Sequence, residues 1–341
     1  MHDQVLLTGI SGFLGGHVGL ALLEDGYRVR GSVRNLDKAD KVRATLAAAG
    51  GDVSRLDFVA LDLNDDTGWQ AAAQDCRFVC HTASPFVMRQ PRDRQALIGP
   101  AVAGTERAVR AGLAAGVERI VLTSSMAAIA YGHPKERLAP FTAANWTNLD
   151  APNISAYVES KTRAELRAWE LMDAAGRHER LATINPSVIL GPLLDEDPGT
   201  SATLVQMLLG GKVPAVPRLG FAIVDVRDVA QAHLKALTAP QAGGKRFPMG
   251  AGHMFLLEAA QALARQFPDR AQRVPRHQLP DWLMRAAAIF SPDARGALDD
   301  LGIRKTLDSS AVVALLGRNL IPPETALAAT AASLIAQGLL R

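Results

Sequence analysis

The stretch Val5-Leu6-Leu7-Thr8-Gly9-Ile10-Ser11-Gly12-Phe13-Leu14-Gly15 decides the fold. A short apolar run enters three glycines spaced G-x-x-G-x-x-G, and a helical pattern from Leu14 to Asp25 follows and stops at Gly26. This reads as strand, tight turn, helix. Gly9 permits the turn, Gly12 lets a pyrophosphate approach the backbone, and Gly15 lets the helix pack on the strand. The loop from Ser11 through Phe13 and Leu14 then presents its backbone N–H groups, at the positive end of a helix, to a bound phosphate.

Outward from that turn the alternation continues. Strands are expected at Tyr27–Val33, Leu56–Leu61, Phe78–Thr82 and Arg119–Thr123, with helices at Lys38–Ala49 and Ala101–Ala115 between them. Strands that alternate with helices make a parallel sheet covered on both faces. The expected fold class is therefore α/β: a doubly wound parallel sheet of the Rossmann kind, with a smaller C-terminal domain that binds the substrate. From about Pro186 the rhythm loosens, with Gly191-Pro192, Asp197-Pro198-Gly199 and Val213-Pro214 as punctuation. Residues 1–184 are assigned to the dinucleotide-binding domain, with 221–240 returning to it. Residues 185–220 and 241–341 are assigned to the smaller domain.

Composition removes several function classes. The 341 residues are 48% hydrophobic and 21% charged, which suits a sizeable core rather than a disordered chain. A net charge of +3, with the arginines spread out and aromatics at 5%, gives no nucleic-acid footprint. No apolar stretch reaches membrane-spanning length and the start carries no leader pattern, so no membrane partner is expected. Two cysteines, Cys76 and Cys80, fit a reducing compartment, and a cytoplasmic location is expected. A monomer or homodimer is expected, and no metal.

The cofactor is read from the end of the second strand. Folds that bind NAD place an acid there for the ribose hydroxyls, but Gly31-Ser32-Val33-Arg34-Asn35 has none. Arg34, with Lys41 as a second charge, suits a 2′-phosphate, so NADP(H) is the expected cofactor. Asp62, with Leu63 after it, follows the third strand, where a carboxylate meets the adenine amino group or simply caps a turn.

The chemistry is read from Tyr157-Val158-Glu159-Ser160-Lys161, which places a phenol and an amine on one helix face, with Ser155 as the cap. An ammonium about 4–5 Å away contributes on the order of 3–4 kcal/mol at an effective dielectric of about 20. That is enough to bring a phenol of ordinary pKa about 10 toward neutrality. Leu122-Thr123-Ser124-Ser125-Met126 ends the fifth strand, at the edge where open α/β sheets bind ligands. Ser125 is expected to hydrogen-bond a substrate carbonyl oxygen beside Tyr157.

With the glycine loop, Ser125, Tyr157 and Lys161 together, the chain resembles the extended short-chain dehydrogenases, and most closely their dihydroflavonol 4-reductase-like branch. The further segments that carry the resemblance are His81-Thr82-Ala83-Ser84-Pro85, Asn185-Pro186-Ser187-Val188-Ile189-Leu190-Gly191-Pro192 and Val224-Asp225-Val226-Arg227-Asp228-Val229-Ala230-Gln231-Ala232-His233. It spans nearly the whole chain. The resemblance implies that Thr82, Ala83 and Ser84 line the cofactor, that Pro186 and Ile189 pack near the nicotinamide with Ser201 nearby, and that Asp225, Asp228, His81 and His233 are structural. It also implies departures. Ala130 stands where plant dihydroflavonol reductases carry an Asn, the Tyr157 segment lacks the cinnamoyl-CoA reductase pattern, and Met126-Ala127 replaces the Asp-Glu of nucleotide-sugar dehydratases.

The expected activity is NADPH-dependent reduction of an aldehyde or ketone, with an apolar wall from residues 85–90, 126–133, 191–207 and the C-terminal third. Hydroxysteroid-type alcohol oxidation and nucleotide-sugar epimerisation are the alternatives with the same residues. A non-catalytic NADP(H)-binding sensor is a third.

Overall fold

The computed structural model describes residues 3–85, 93–196 and 199–340, without the side chains of residues 200, 201, 292 and 293. Six strands form in chain order: β1 (Gln4–Thr8), β2 (Arg28–Val33), β3 (Leu56–Ala60), β4 (Phe78–His81), β5 (Arg119–Thr123) and β6 (Leu181–Pro186). The helices among them are α1 (Phe13–Glu24), α2 (Ala39–Ala48), α3 (Trp69–Ala73), α4 (Gln95–Ala114) and α5 (Ala156–Ala174). Beyond them lie β7 (Val188–Leu190), α6 (Gly199–Leu209), β8 (Ala215–Val216), β9 (Gly220–Asp225), α7 (Val226–Thr238), β10 (Lys245–Met249), β11 (Gly252–Phe255) and α8 (Leu256–Gln266). The chain ends through β12 (His277–Gln278), α9 (Asp281–Phe290), α10 (Pro292–Ala297), α11 (Ser310–Leu316) and α12 (Pro323–Ala336).

The main sheet has seven parallel strands in the order β10-β6-β5-β4-β1-β2-β3. Every residue of β1, β4 and β6 is buried, because helices cover both faces of the sheet. One core layer packs α1, α7 and α11 on one face, around Val5, Leu7, Val29, Phe78, Val229 and Val312. The other packs α4 and α5 on the opposite face, around Leu6, Val79, Val109, Ile120 and Met172. The order of connection reverses between β1 and β4, and such a switch point opens a crevice at the carboxyl ends of the strands. The glycine loop, Thr82 and Ser125 all leave the sheet at that edge.

Two segments depart from the expected division. Of residues 221–240, assigned to the dinucleotide-binding domain, the first part pairs as β9 with β7 and β11 in a separate three-stranded sheet, while α7 packs on the main sheet. Residues 245–249, assigned to the smaller domain, form the edge strand β10 of the main sheet. Pro248 explains why the segment does not read as a sheet strand. A proline donates no ladder hydrogen bond and is tolerated at an edge, where one side has no neighbour. A further core gathers β7, β9, α6, α8 and α12 around Leu190, Val205, Ile223, Leu263, Leu327 and Leu334. It covers the carboxyl edge of the main sheet and encloses the crevice.

No helix among the described residues is long and apolar enough to cross a membrane. Cys76 and Cys80 are buried free thiols.

Candidate active site

The glycine loop is built by its neighbours. Gly9 has φ +74°, a conformation that L side chains avoid, and a Cβ there would lie 2.9 Å from the backbone of Ala83. A Cβ on Gly15 would fall 2.0 Å from the carbonyl oxygen of Gly9, so only glycine lets α1 start this close to β1. Three contacts fix the turn from below: Gly9 N–H donates to Ser32 Oγ at 3.2 Å, Ala83 N–H to Thr8 Oγ1 at 3.2 Å, and Thr82 Oγ1 to Thr8 O at 2.6 Å. Gly12 caps α1 without a side-chain bond, so the first-turn N–H groups are left for a ligand. A Cβ at Gly12 would meet nothing closer than Gly9 O at 3.4 Å, so the backbone is open to close approach on that side. The cradle fits a dinucleotide pyrophosphate.

One cavity of about 680 Å³ runs from this loop across the crevice. Gly9, Ser11, Gly12, Phe13, Leu14, Gly15, Thr82, Ser84, Ser125, Tyr157, Lys161, Pro186 and Ile189 all line it. Other expected contacts stand elsewhere. Ala83 lies behind Gly9, on a second, small cavity. Asp62 and Leu63 do not reach the lining: Asp62 accepts from Asn64 N–H at 2.8 Å in a turn, and Leu63 packs on Gly104. Arg34 is exposed beyond the end of β2 and outside the lining, while Lys41 turns to Asp195 at 3.4 Å. It is Val42, Thr45 and Leu46 of α2 that reach the wall. The side chain of Ser201 and residues Phe86, Val87 and Met88 of the expected apolar wall lie outside the described residues. Within that wall Met126 and Leu194 line the cavity, whereas Ile129 is core and Met207 is exposed.

Helix α5 brings the phenol and the amine to the cavity. Ser155 caps it, its Oγ accepting from Val158 N–H at 3.1 Å, so Tyr157 and Lys161 fall one turn apart at its buried start. Ser125 leaves β5 in extended conformation, and its Oγ accepts from Ala127 N–H at 3.1 Å. The Ser125 and Tyr157 hydroxyls are hydrogen-bonded to each other. Burial pushes the Tyr157 phenol above its usual pKa, and the Ser125 bond pulls it partly back. Burial also pulls the Lys161 ammonium down to about 8, against the attraction of Glu165. The expected lowering of the phenol by the amine is therefore corrected: burial sets the direction, and the Ser125 hydrogen bond is what opposes it.

Behind the cavity lies a polar network that short-range sequence patterns do not reveal. Glu165, one turn beyond Lys161, has no exposed surface. It accepts from Ser124 Oγ at 2.5 Å, Asn185 Nδ2 at 2.7 Å, Thr183 Oγ1 at 3.0 Å and Arg246 Nε at 2.6 Å. It thereby ties the end of β5, the middle of β6 and the edge strand β10 to the helix that carries Tyr157.

His81 and His233 are core groups. His81 shares a hydrogen with Thr8 Oγ1 at 2.8 Å, and burial, helped by the Lys161 charge, holds its pKa near about 3. His233 meets Thr123 Oγ1 at 2.7 Å and Val229 O at 2.8 Å, and burial lowers it to about 4. Asp225 caps α7, accepting from Arg227 N–H at 2.9 Å, and Asp228 accepts from Ile321 N–H at 2.6 Å. No cluster of three or more metal-type ligands occurs among the described residues.

A doubly wound sheet, a glycine cradle at its switch point and a buried hydroxyl-phenol-amine set define a Rossmann-type protein with a dinucleotide-shaped cleft. Residues 5–250 match the sequence pattern of the NAD dependent epimerase/dehydratase family, and the chain belongs to that family. The resemblance to its extended short-chain dehydrogenase/reductase members is borne out by the relatives. Cinnamoyl-CoA reductase 1 of Arabidopsis thaliana is 34% identical over 267 residues, covering 78% of this chain and 75% of its own. The ketoreductase azaE of Aspergillus niger is 33% identical over 302 residues, covering 82% and 86%. Among solved structures, yeast methylglyoxal/isovaleraldehyde reductase Gre2, complexed with NADPH, superposes with a TM-score of 0.80 at 26% identity, covering 98% of this chain and 99% of that one.

Proposed function

We propose that the protein is an NADPH-dependent carbonyl reductase acting on aldehydes or ketones through Ser125, Tyr157 and Lys161. The observation that carries this reading is that Ser125, Tyr157 and Lys161 line one cavity together with the glycine cradle. A tyrosine pushed above its usual pKa is an acid throughout the neutral range, and reduction of a carbonyl needs an acid at the oxygen. Named reductases among the relatives support the same direction.

When bound, NADPH supplies a hydride to the carbonyl carbon. The rest falls to the chain. The first turn of α1 would hold the pyrophosphate through backbone N–H groups, with Thr82 and Ser84 of the cavity lining beside the dinucleotide. Ser125 donates a hydrogen bond to the carbonyl oxygen and sets its distance from Tyr157. Tyr157 transfers its phenolic proton to that oxygen as negative charge develops there. Lys161 holds the ribose hydroxyls and keeps a positive charge close to the phenolate that forms. The buried setting strengthens both electrostatic contacts, because little water screens them.

The test is a panel of aldehydes and ketones assayed with NADPH and with NADH side by side. Oxidation of NADPH that depends on the carbonyl is the expected result. Cofactor turnover with none of them, together with epimerisation of a nucleotide sugar, would replace the reading by the epimerase one. Arg34 carries the cofactor preference through its charged contact with the 2′-phosphate. Arg34→Ala raises the KM for NADPH about tenfold to a hundredfold and leaves the KM for NADH unchanged. An equal rise for both cofactors would remove Arg34 from that role.

The pH dependence follows from Lys161. Its ammonium is charged below a pKa of about 8 and neutral above it. The rate constant kcat/KM for reduction is therefore level from pH 6 to 7 and falls as pH rises through about 8, where the proton is lost. A profile that stays level to pH 10 would mean that the charge on Lys161 plays no part.

A further inference from the structure

The wall of the cavity is not apolar throughout. Asp300 and Lys305 both line it and pair with each other, their side chains 30% and 17% exposed. The Lys305 ammonium sits 3.7 Å above the ring of Tyr131, which lines the same space. Burial, the charge of Asp300 and the nearby Tyr157 all push the Tyr131 phenol above its ordinary pKa. Tyr131 therefore lies near both the Tyr157 phenol and the ion pair.

The pair is built in rather than loose. The segment that carries it is fastened on both sides. Gly302 N–H donates to Arg218 O at 2.7 Å, Phe141 N–H to Thr306 O at 2.8 Å, and Asp308 N–H to Phe141 O at 2.8 Å. Met126, Phe221 and Ile303 line the same cavity.

We infer that Asp300 and Lys305 form a recognition site for a hydroxyl group at the end of the substrate remote from its carbonyl. This rests on the reductase reading above and names its substrate class: a carbonyl compound with an apolar or aromatic body and a distal hydroxyl or phenol. The chemistry of the pair selects that group. An anionic substituent gains Lys305 but meets Asp300, and a cationic one meets the reverse. A hydroxyl is donor and acceptor at once, so it donates to the carboxylate and accepts from the ammonium while both charges stay paired. A bare hydrocarbon end desolvates the pair and returns nothing to it.

The test uses three ketones with one body: a phenyl-substituted butanone, its para-hydroxyphenyl counterpart and its para-carboxyphenyl counterpart. In the native enzyme kcat/KM for the hydroxyphenyl ketone exceeds that for the phenyl ketone by about tenfold or more, and the carboxyphenyl ketone is the poorest. Lys305→Met and Asp300→Asn each collapse the hydroxyl-to-phenyl ratio toward one, and Lys305→Arg retains it. The ratio is the readout, so a variant that is merely less active keeps it and overturns the assignment. A native ratio near one, or a preference for the carboxylate, overturns it too. Calorimetric binding of the same ketones to the protein loaded with NADP+ reads the same ratio without turnover. Failure of the reductase reading, no reduction of any ketone, thus stays distinct from failure of the hydroxyl site, equal binding of the hydroxyl and phenyl compounds.

Discussion

Tyr157→Phe lowers kcat for carbonyl reduction by about 10²–10⁴-fold and leaves NADPH affinity unchanged, as read by fluorescence titration. The size follows from what is removed. The substitution keeps the ring and its packing at the start of α5 and deletes only the hydroxyl. In the proposed mechanism that hydroxyl is the acid opposite the nascent alkoxide, and Ser125 is its hydrogen-bonded neighbour. Ser125 cannot replace it as an acid, because a serine hydroxyl has a far higher pKa than a phenol. With phenylalanine the developing charge keeps the Ser125 hydrogen bond and the Lys161 ammonium but receives no proton. A residual rate is expected from positioning and that electrostatic support alone. A loss below about tenfold would show that another group or a water protonates the oxygen, and the reductase reading would lose its centre.

The parts of this site that are legible in sequence are those whose geometry is local. The glycine spacing at 9, 12 and 15 dictates a turn because each position answers a short-range steric demand. Tyr157 and Lys161 are recognisable because a helix puts residues four apart on one face, and Ser155 marks where that helix begins. Residues that meet through the fold are invisible. Glu165 and Arg246 are 81 positions apart and form one buried pair, and Lys305 reaches Tyr131 from a segment pinned to the residues around Phe141. Desolvation is invisible for the same reason. Sequence alone places an amine beside a phenol and suggests that the phenol becomes more acidic, but burial is a property of the folded packing, and here it dominates both groups. Strand β10 shows the limit for the fold: Lys245 and Pro248 argue against a sheet strand until one sees that it lies at the edge.

Arg246→Met destabilises the protein by about 3–5 kcal/mol, measured by denaturant unfolding, because it leaves a carboxylate buried without its counter-charge. Glu165 has no exposed surface and Arg246 is 8% exposed, so water cannot take the place of the lost guanidinium. The arginine also donates to the carbonyl oxygens of Ala143 at 2.7 Å and Asn145 at 2.6 Å, and stacks 3.6 Å from the ring of Trp146. Its removal strands two acceptors and loosens the segment behind Ser125. Pairing the change with Glu165→Gln separates these effects. The amide keeps acceptor and donor capacity toward Ser124, Thr183 and Asn185 but carries no charge, so the double variant recovers part of the loss that is electrostatic. What it does not recover belongs to the carbonyl contacts. The two variants also divide stability from catalysis. Glu165 attracts the Lys161 proton, so Glu165→Gln lowers the pH at which reduction begins to fall, whereas a purely structural Glu165 would leave that inflection where it was. A single variant with less than about 1 kcal/mol of destabilisation would mean that the network holds the site by hydrogen bonds rather than by an ion pair.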